Sequence, residues 1–287
     1  MGKLLYIYNS NKGYSADYFR NKGLLPERAV FDSSAVYYEL ECLYFDAEPG
    51  PGQVLELRRM LETEEADVLY LDRLLSPDQK SMFVFDMDST LIRQEVIDEI
   101  ARSAGVYDEV ATVTREAMEG KLDFNQSLQK RCSYLNGVDE SVFGRVYDNL
   151  VLNDGVAELL GELNKRGVIT CVLSGGFERI LAPFAQKYGF NHHAANILEI
   201  SDGRLTGKVL GRIVNKDVKK EKLVEIREKE NVAKEQVVAV GDGANDLLML
   251  REAGYGFGFH AKDGLKKDLL NWVDFSPMTA LLFLFNK

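Results

Sequence analysis

The chain has 287 residues, 46% of them apolar and 28% charged, which is typical of a globular protein with about two structural units. Its formal net charge of −10 is spread along the sequence without any Lys/Arg-rich strip, which excludes nucleic acid and anionic membranes as expected partners. No run of about 18 apolar residues occurs, so no membrane-spanning helix is expected.

The first residues and the cysteines indicate the compartment. Residues 1–13 lack the apolar core and cleavage site of a signal peptide. An odd number of cysteines without metal-ligand spacing predicts free, mostly buried thiols in a reducing, cytoplasmic setting. These cysteines are Cys42, Cys132 and Cys171.

Residues 1–80 are predicted to form a small α+β domain. Short β-rich runs (LLYIY, AVYYELECLYF and DVLYL) alternate with two predicted helices, near Tyr14–Asn21 and Val54–Glu62. The order strand, helix, strand, strand, helix, strand is that of a ferredoxin-like unit. The polar segment LLSPDQKS, residues 74–81, is the predicted boundary.

The following sequence has the pattern of a doubly wound α/β protein. MFVFD (82–86), VITCVLS (168–174) and VVAVGD (237–242) are unbroken apolar runs, typical of parallel strands buried on both faces. Ligands of such sheets bind at the carboxyl ends of the strands, so the segments after these runs are expected to meet. Residues 197–214 predict a β-hairpin that turns at Asp202-Gly203.

A helical insert, residues 94–150, separates the first two strands. Apolar residues recur in it at helical spacing and predict four short amphipathic helices, a small bundle over the edge of the sheet. The predicted core domain therefore consists of residues 81–93 together with residues 151–287.

The first strand ends in FDMDSTL, residues 85–91. Its two carboxylates cannot both enter a core without a cation or polar partners. Asp86 could present its carboxylate to a metal and a reacting phosphorus. Asp88 could exchange a proton while its backbone carbonyl faces the same cation. The alternative is an ordinary capped loop, because Asp-Ser-Thr also favours turns and helix starts.

The second strand ends in LSGGF, residues 173–177, which is followed by a predicted helix. Ser174 offers a hydroxyl and Gly175 a backbone N–H, groups that bind phosphate oxygens at such helix starts. An ordinary turn explains this segment equally well.

The third strand ends in VGDGANDLLML, residues 240–250. Asp242 could complete the oxygen shell of a magnesium ion with Asp86 and the carbonyl of Asp88, because Mg²⁺ binds through one or two carboxylates. Asn245 and Asp246 open the next helix with their side chains facing the site.

Phosphoryl transfer also needs a positive charge beside the phosphate. Lys219 lies on a predicted helix before the third strand. Composition leaves the choice open, because three further lysines flank it: Lys216, Lys220 and Lys222.

These three segments, in this order, resemble those of the haloacid dehalogenase superfamily. Across residues 82–275 the chain is similar to the phosphoserine phosphatase family within it. The similar segments are FDMDSTLIRQEVIDEIA, EAMEGKLDFNQSL, LSGGF, DGRLTGKV and VAVGDGANDLLML. The resemblance implies a helical cap on an α/β core and selects Lys219 as the catalytic lysine.

The resemblance implies a mechanism for hydrolysis of O-phospho-L-serine, the last step of serine biosynthesis. Asp86 attacks phosphorus and forms an aspartyl-phosphate, while Asp88 acts first as acid and then as base. Mg²⁺ and Lys219 neutralise the phosphoryl oxygens. Ser174, Gly175 and Asn245 contact the phosphoryl group or substrate, and Asp246 orients Lys219 or a water.

Substrate choice is expected to lie in the cap. The matching glutamate and arginine of the family hold the amino and carboxylate groups of phosphoserine, which implies these roles for Glu95 and Arg131. Met118 and Phe124 would supply an apolar wall. Without the resemblance, Glu95 and Arg131 would be interpreted as surface charges on helices.

Three alternatives remain open. The substrate could be another small phosphomonoester such as phosphothreonine, or the phosphoryl acceptor could differ from water. The chain could also be an amino-acid-binding regulator with a vestigial phosphatase core, or a metal-binding interaction module. Members of the family often carry an N-terminal ACT-like sensing domain, and residues 1–80 could be a reduced form that lacks the glycine-marked ligand loop after the first strand. Serine feedback and a homodimer are therefore hypotheses.

Overall fold

The structure is a computed structural model that describes residues 2–285. Residues 2–71 form a four-stranded sheet with two helices, in strand order β2-β3-β1-β4, and every neighbouring pair is antiparallel. This arrangement confirms the predicted ferredoxin-like unit. Its elements are β1 (Gly2–Asn9), α1 (Ala16–Asn21), β2 (Val30–Tyr37), β3 (Leu40–Ala47), α2 (Pro51–Leu61) and β4 (Asp67–Leu71).

Helix α2 begins earlier than the sequence pattern predicts, at Pro51 instead of Val54. Gly50 is the extended N-cap residue, and Pro51 occupies the first helical position. Proline suits that position because its fixed φ is helical and its missing N–H would have no partner there.

The second sheet has seven strands in the order β11-β10-β9-β5-β6-β7-β8. Its pairs are parallel except for the β7–β8 hairpin, which turns at Asp202-Gly203 as predicted. The strands are β5 (Met82–Phe85), β6 (Ile169–Phe177), β7 (His192–Ser201), β8 (Arg204–Leu210), β9 (Val237–Gly241), β10 (Tyr255–Phe259) and β11 (Trp272–Val273). Every residue of β5 and β9 is buried, as their unbroken apolar sequences require.

The insert between β5 and β6 contains the four predicted helices. They are α3 (Val96–Ala104), α4 (Tyr107–Met118), α5 (Phe124–Ser133) and α6 (Val142–Asp148). The helices that flank the core sheet are α7 (Val156–Lys165), α8 (Glu178–Tyr188), α9 (Lys216–Lys229), α10 (Leu247–Glu252) and α11 (Asp263–Lys266). Among residues 2–285, none of these helices has the length and apolar content that crossing a bilayer requires.

Two segments connect the insert to the core, and they are tied to each other. The N–H of Arg93 donates to the carbonyl of Val151 at 2.9 Å. The side-chain amide of Asn153 donates to the carbonyls of Ser89, Thr90 and Ile92 at 3.3, 2.8 and 3.2 Å. One side chain of the second connection thus holds the loop that follows β5.

Strand β6 is longer than predicted, because it continues through Ser174 to Phe177. Its pairing with β7 shifts register between Leu173 and Phe177, which marks a bulge at the two glycines. A Cβ on Gly175 would lie 3.0 Å from the Phe124 ring. Glycine therefore lets the bulged strand pass close under the cap.

The two sheets are joined at a polar contact that the sequence did not predict. The buried guanidinium of Arg58 donates to the carbonyls of Trp272 and Leu270 at 2.7 and 3.2 Å and lies 3.8 Å from the centroid of a Trp272 ring. Asp67 accepts backbone N–H groups from Asp274 and Ser276, each at 2.8 Å. The segment after β10 is thereby fixed to the N-terminal sheet.

Replacing Arg58 by alanine is expected to lower the free energy of unfolding by about 3 kcal/mol, because buried carbonyls lose a charged donor. Urea unfolding of R58A measures the change. The control is R59A, which removes the exposed arginine next to it on α2. Equal stabilities of R58A and R59A would contradict the role of this contact.

The last described residues form a 3₁₀ helix at Met278–Leu284. All seven of its residues are buried, and Leu75 forms a parallel β-bridge with Phe285. This end of the chain is therefore part of the hydrophobic core.

Candidate active site

The three apolar strands of the core are neighbours, because β5 lies between β9 and β6. Asp86 directly follows β5, Asp242 directly follows β9, and Ser174 lies on β6. The N–H of Asp86 donates to the carbonyl of Val240 on β9 at 2.9 Å, so strand pairing still fixes the backbone at Asp86. The polar ends of the three strands thus meet at one edge of the sheet.

A buried ammonium group joins two of the carboxylates. Lys219 lies one turn into α9, whose N-terminus is capped by the Asn215 side chain. Its Nζ donates to Asp86 Oδ1 at 2.5 Å and to Asp246 Oδ1 at 2.7 Å. Burial alone would lower the pKa of Lys219, but the two carboxylates raise it above its ordinary value. Lys219 is therefore held as a cation.

The site has an excess of buried negative charge. Carboxylate oxygens of Asp86, Asp242 and Asp246 lie within 4.8 Å of one another. Only Lys219 and Lys262 contact them as cations within residues 2–285. Burial, with Asp246 next, raises the pKa of Asp86 to about 8, and burial raises that of Asp242 to about 6. A divalent cation would relieve this excess.

The donor set fits Mg²⁺ because it consists of oxygen atoms only. Asp246 is the least suited of the three carboxylates to bind a cation directly. Its Oδ1 is bound to Lys219, and its Oδ2 accepts the N–H of Gly243 at 3.1 Å. Asp86 and Asp242, with the backbone carbonyl of Asp88, remain the proposed ligands.

Asp88 is half-buried, and a single weak hydrogen bond holds its carboxylate. Its Oδ2 accepts the N–H of Val96 at 3.4 Å, and its buried Oδ1 has no partner among residues 2–285. Burial, and then the charges of Glu95 and Asp86, raise the pKa of Asp88 well above its ordinary value. The raised pKa favours the protonated form of Asp88, which is the form that a general acid needs.

The Ser-Gly-Gly segment forms a tight cradle. The N–H of Gly176 donates to Ser174 Oγ at 2.8 Å. A Cβ on Gly176 would lie 3.0 Å from this Oγ and 3.2 Å from Asp88 Oδ2, so a larger residue would crowd both side chains. Asn196, which the sequence did not single out, donates to the carbonyl of Gly175 at 2.8 Å. A small group can therefore approach the backbone closely.

A cavity of about 890 Å³ lies between the sheet edge and the helical insert. From the sequence-predicted residues the core contributes Asp86, Asp88, Gly175, Asp242 and Asn245, and the insert contributes Glu95, Met118, Phe124 and Arg131. Ser174, Lys219 and Asp246 are fully buried behind the wall. The structure thus brings all twelve predicted residues to one place.

The residues of the insert differ in how they face the cavity. Glu95 is the N-cap residue of α3. Phe124 and Arg131 lie on α5, one side of which is buried. The buried Nε of Arg131 has no partner within the described chain. Met118 is 83% exposed, so it borders the opening of the cavity and supplies little of the expected apolar wall.

Sequence reasoning missed several residues of this site. Lys262 contacts Asp242 at 2.8 Å and Glu95 at 3.3 Å, and Asp98 lines the cavity three residues after Glu95. Lys262 follows the apolar strand YGFGF, so its place at the same sheet edge was a usable signal. Ser89 donates a hydrogen bond to Glu95 at 3.0 Å. No sequence signal predicts this contact, because it depends on the backbone conformation of the loop.

The comparisons with known proteins agree with this geometry. The family model of haloacid dehalogenase-like hydrolases matches residues 81–254. A phosphoserine phosphatase of Archaeoglobus fulgidus is 41% identical over 79% of this chain and 67% of its own length. One from Streptococcus thermophilus is 45% identical over 64% of this chain and 85% of its own length.

Similarity also extends to the N-terminal sheet. The crystal structure of a HAD family hydrolase from Salmonella enterica serovar Typhi superposes with a TM-score of 0.89 at 30% identity. The match covers 100% of this chain and 99% of that chain. Both the ferredoxin-like unit and the core therefore occur together in a solved structure.

Proposed function

The chain belongs to the phosphoserine phosphatases within the haloacid dehalogenase-like hydrolases, and we propose that it hydrolyses O-phospho-L-serine to serine and phosphate. One observation carries the proposal. Asp86, which is paired with the buried Lys219, lines the same cavity as a carboxylate, Glu95, and a guanidinium, Arg131. The first pair suits phosphoryl transfer, and the second suits an amino acid.

The reaction is a double displacement at phosphorus. Asp86 attacks phosphorus while the protonated Asp88 donates its proton to the departing serine oxygen, which leaves an aspartyl-phosphate. Asp88 then removes a proton from the attacking water, and phosphate leaves with Asp86 restored. Lys219 holds the Asp86 carboxylate in place and neutralises charge on the phosphoryl oxygens.

Mg²⁺ is the proposed cofactor, bound by Asp86, Asp242 and the carbonyl of Asp88. When bound, it supplies Lewis-acid neutralisation of the phosphoryl charge. Asp246 contacts Lys219 and is proposed to position it. Gly175 and Asn245 line the cavity and Ser174 is buried next to Gly175, which supports their proposed role in binding phosphoryl oxygens. We also propose that residues 94–150 act as a cap that excludes water from the cavity.

Phosphate release from a panel of esters tests the function. The panel contains phosphoserine, phosphothreonine, a sugar phosphate and an aryl phosphate, each with Mg²⁺ and with a chelator. We expect Mg²⁺-dependent turnover with a strong preference for phosphoserine. Turnover of the aryl ester alone would keep the chemistry and refute the substrate, and a lack of any turnover would favour a regulatory protein with a vestigial core.

Replacing Arg131 by alanine should raise KM for phosphoserine about 50-fold, because the carboxylate loses charge-assisted hydrogen bonds. Phosphoethanolamine lacks the carboxylate, so its KM should change little. The control is R115A, which removes an exposed arginine of the same insert. Equal losses with both esters would refute the carboxylate role.

Mg²⁺ affinity should rise between pH 6 and pH 8, because a carboxylate binds a cation only when ionised. Protons compete for Asp242, whose pKa is raised to about 6, and for Asp86, whose pKa is raised to about 8. Calorimetric titration is expected to show binding about 100-fold weaker at the lower pH. An affinity that does not vary with pH would exclude these carboxylates as ligands.

A further inference from the structure

Glu95 is held through one of its two carboxylate oxygens. Ser89 Oγ donates to Glu95 Oε1 at 3.0 Å, and Lys262 Nζ donates to the same oxygen at 3.3 Å. Within residues 2–285, no hydrogen bond or ion pair reaches Oε2. Because Glu95 lines the cavity, Oε2 is the acceptor that remains for a ligand.

The position of the Ser89 hydroxyl depends on an uncommon backbone conformation. Ser89 has φ +58°, in the left-handed region that residues other than glycine seldom adopt. Its N–H donates to the carbonyl of Gln94 at 3.1 Å, and its carbonyl accepts from Asn153. Both flanking contacts hold this conformation, so the hydroxyl is aimed before any ligand binds.

Lys262 reaches Glu95 from the core side. Its N–H donates to the backbone carbonyl of Asp242 at 2.9 Å, and its Nζ contacts Asp242 Oδ2 at 2.8 Å. The ammonium is therefore positioned by the core, while Glu95 begins the first helix of the insert. Lys262 links the two halves of the cavity at the carboxylate assigned to the substrate's amino group.

We propose that Ser89 and Lys262 are positioning residues that make Glu95 selective for an ammonium-bearing phosphomonoester. They fix Oε1, so that Oε2 alone faces the ligand in one orientation. A carboxylate that is oriented in advance loses little side-chain entropy on binding, and this increases its discrimination between an ammonium group and its absence. The inference deepens the proposed function and depends on the Glu95 role within it.

The test compares two esters at saturating Mg²⁺. Phosphoserine carries the ammonium, and 3-phosphooxypropanoate lacks only that group. Selectivity is the ratio of their kcat/KM values. S89A and K262M are each expected to lower this ratio about tenfold, through a larger increase in KM for phosphoserine than for the ester without the ammonium group, as the loss of one charge-assisted hydrogen bond predicts.

Three further variants separate positioning from loss of structure. S89G tolerates positive φ but lacks the hydroxyl, so its ratio should fall as that of S89A does. K262R keeps a cation at this position, so its selectivity ratio should be closer to that of the wild type than to that of K262M. K216M removes a lysine that lines the same cavity without contacting Glu95, and it should change both esters in proportion.

The outcomes distinguish this inference from the function on which it depends. A wild-type enzyme that is indifferent to the amino group, or an E95Q variant with unchanged selectivity, would overturn both. Selectivity that is lost in E95Q but kept in S89G and K262M would overturn the positioning role alone. Support requires that S89A in the E95Q background cause no further loss, because both changes then act through one carboxylate.

Discussion

Replacing Asp86 by asparagine should lower kcat by at least about 10⁴-fold, because an amide is not a nucleophile and no other carboxylate is placed to replace it. The change is nearly isosteric and removes a buried charge. Burial and the neighbouring Asp246 already raise the pKa of Asp86, which shows that the fold disfavours its ionised form. D86N should therefore be at least as stable as the wild type.

Single-turnover kinetics and thermal unfolding check this expectation together. A rapid-quench experiment should trap phosphate covalently on the wild type and none on D86N. The control is D78N, which neutralises an exposed aspartate in the connection between the two sheets. Turnover by D86N above about one hundredth of the wild-type rate would refute Asp86 as the nucleophile.

Replacing Lys219 by methionine should reduce kcat by about 10³-fold and also destabilise the protein by about 3–5 kcal/mol. Lys219 is fully buried and bonded to Asp86 and Asp246. Its removal would leave two buried carboxylates without a cation. Phosphoryl transfer would lose charge neutralisation at the same time.

The stability loss of K219M should depend on pH and become larger as the pH rises. Without Lys219, folding raises the pKa of Asp86 further above its unfolded value. Such an acid binds more protons in the folded state, so stability decreases as the pH rises. Urea unfolding at pH 6 and pH 8 should show the larger deficit at pH 8. The control is K220M, which removes the exposed lysine next to Lys219. If K219M were as stable as K220M at pH 8, this would contradict the argument.

The sequence predicted most of the architecture because its signals are local. The apolar runs that became β5 and β9 identify buried parallel strands, and the alternation of strands and helices in residues 1–80 identifies the ferredoxin-like order. The predicted end of β6 was wrong, because the pair Gly175-Gly176 is typical of a turn when only the sequence is considered. In the structure they form a bulge within the strand.

The candidate site divides in the same way. Asp86 and Asp242 could be placed from sequence because they end buried strands. Composition could not distinguish Lys219 from its neighbouring lysines, and the family resemblance alone selected it. In the structure its contacts with two carboxylates distinguish it from them. The contacts of Ser89 and Lys262 with Glu95 depend on a left-handed residue and on how the insert docks, which no local pattern specifies.

The polar contact between the two sheets limits how this protein can be recombined with its relatives. Arg58 and Asp67 bind the backbone of residues 270–276, and Asn271 exchanges two hydrogen bonds of 2.8 Å with the backbone of Tyr70. A chimera that exchanges residues 1–80 must therefore take residues 270–276 from the same parent. Residues 1–80 and 270–276 would therefore have to be exchanged together, although they lie about 200 positions apart in the sequence.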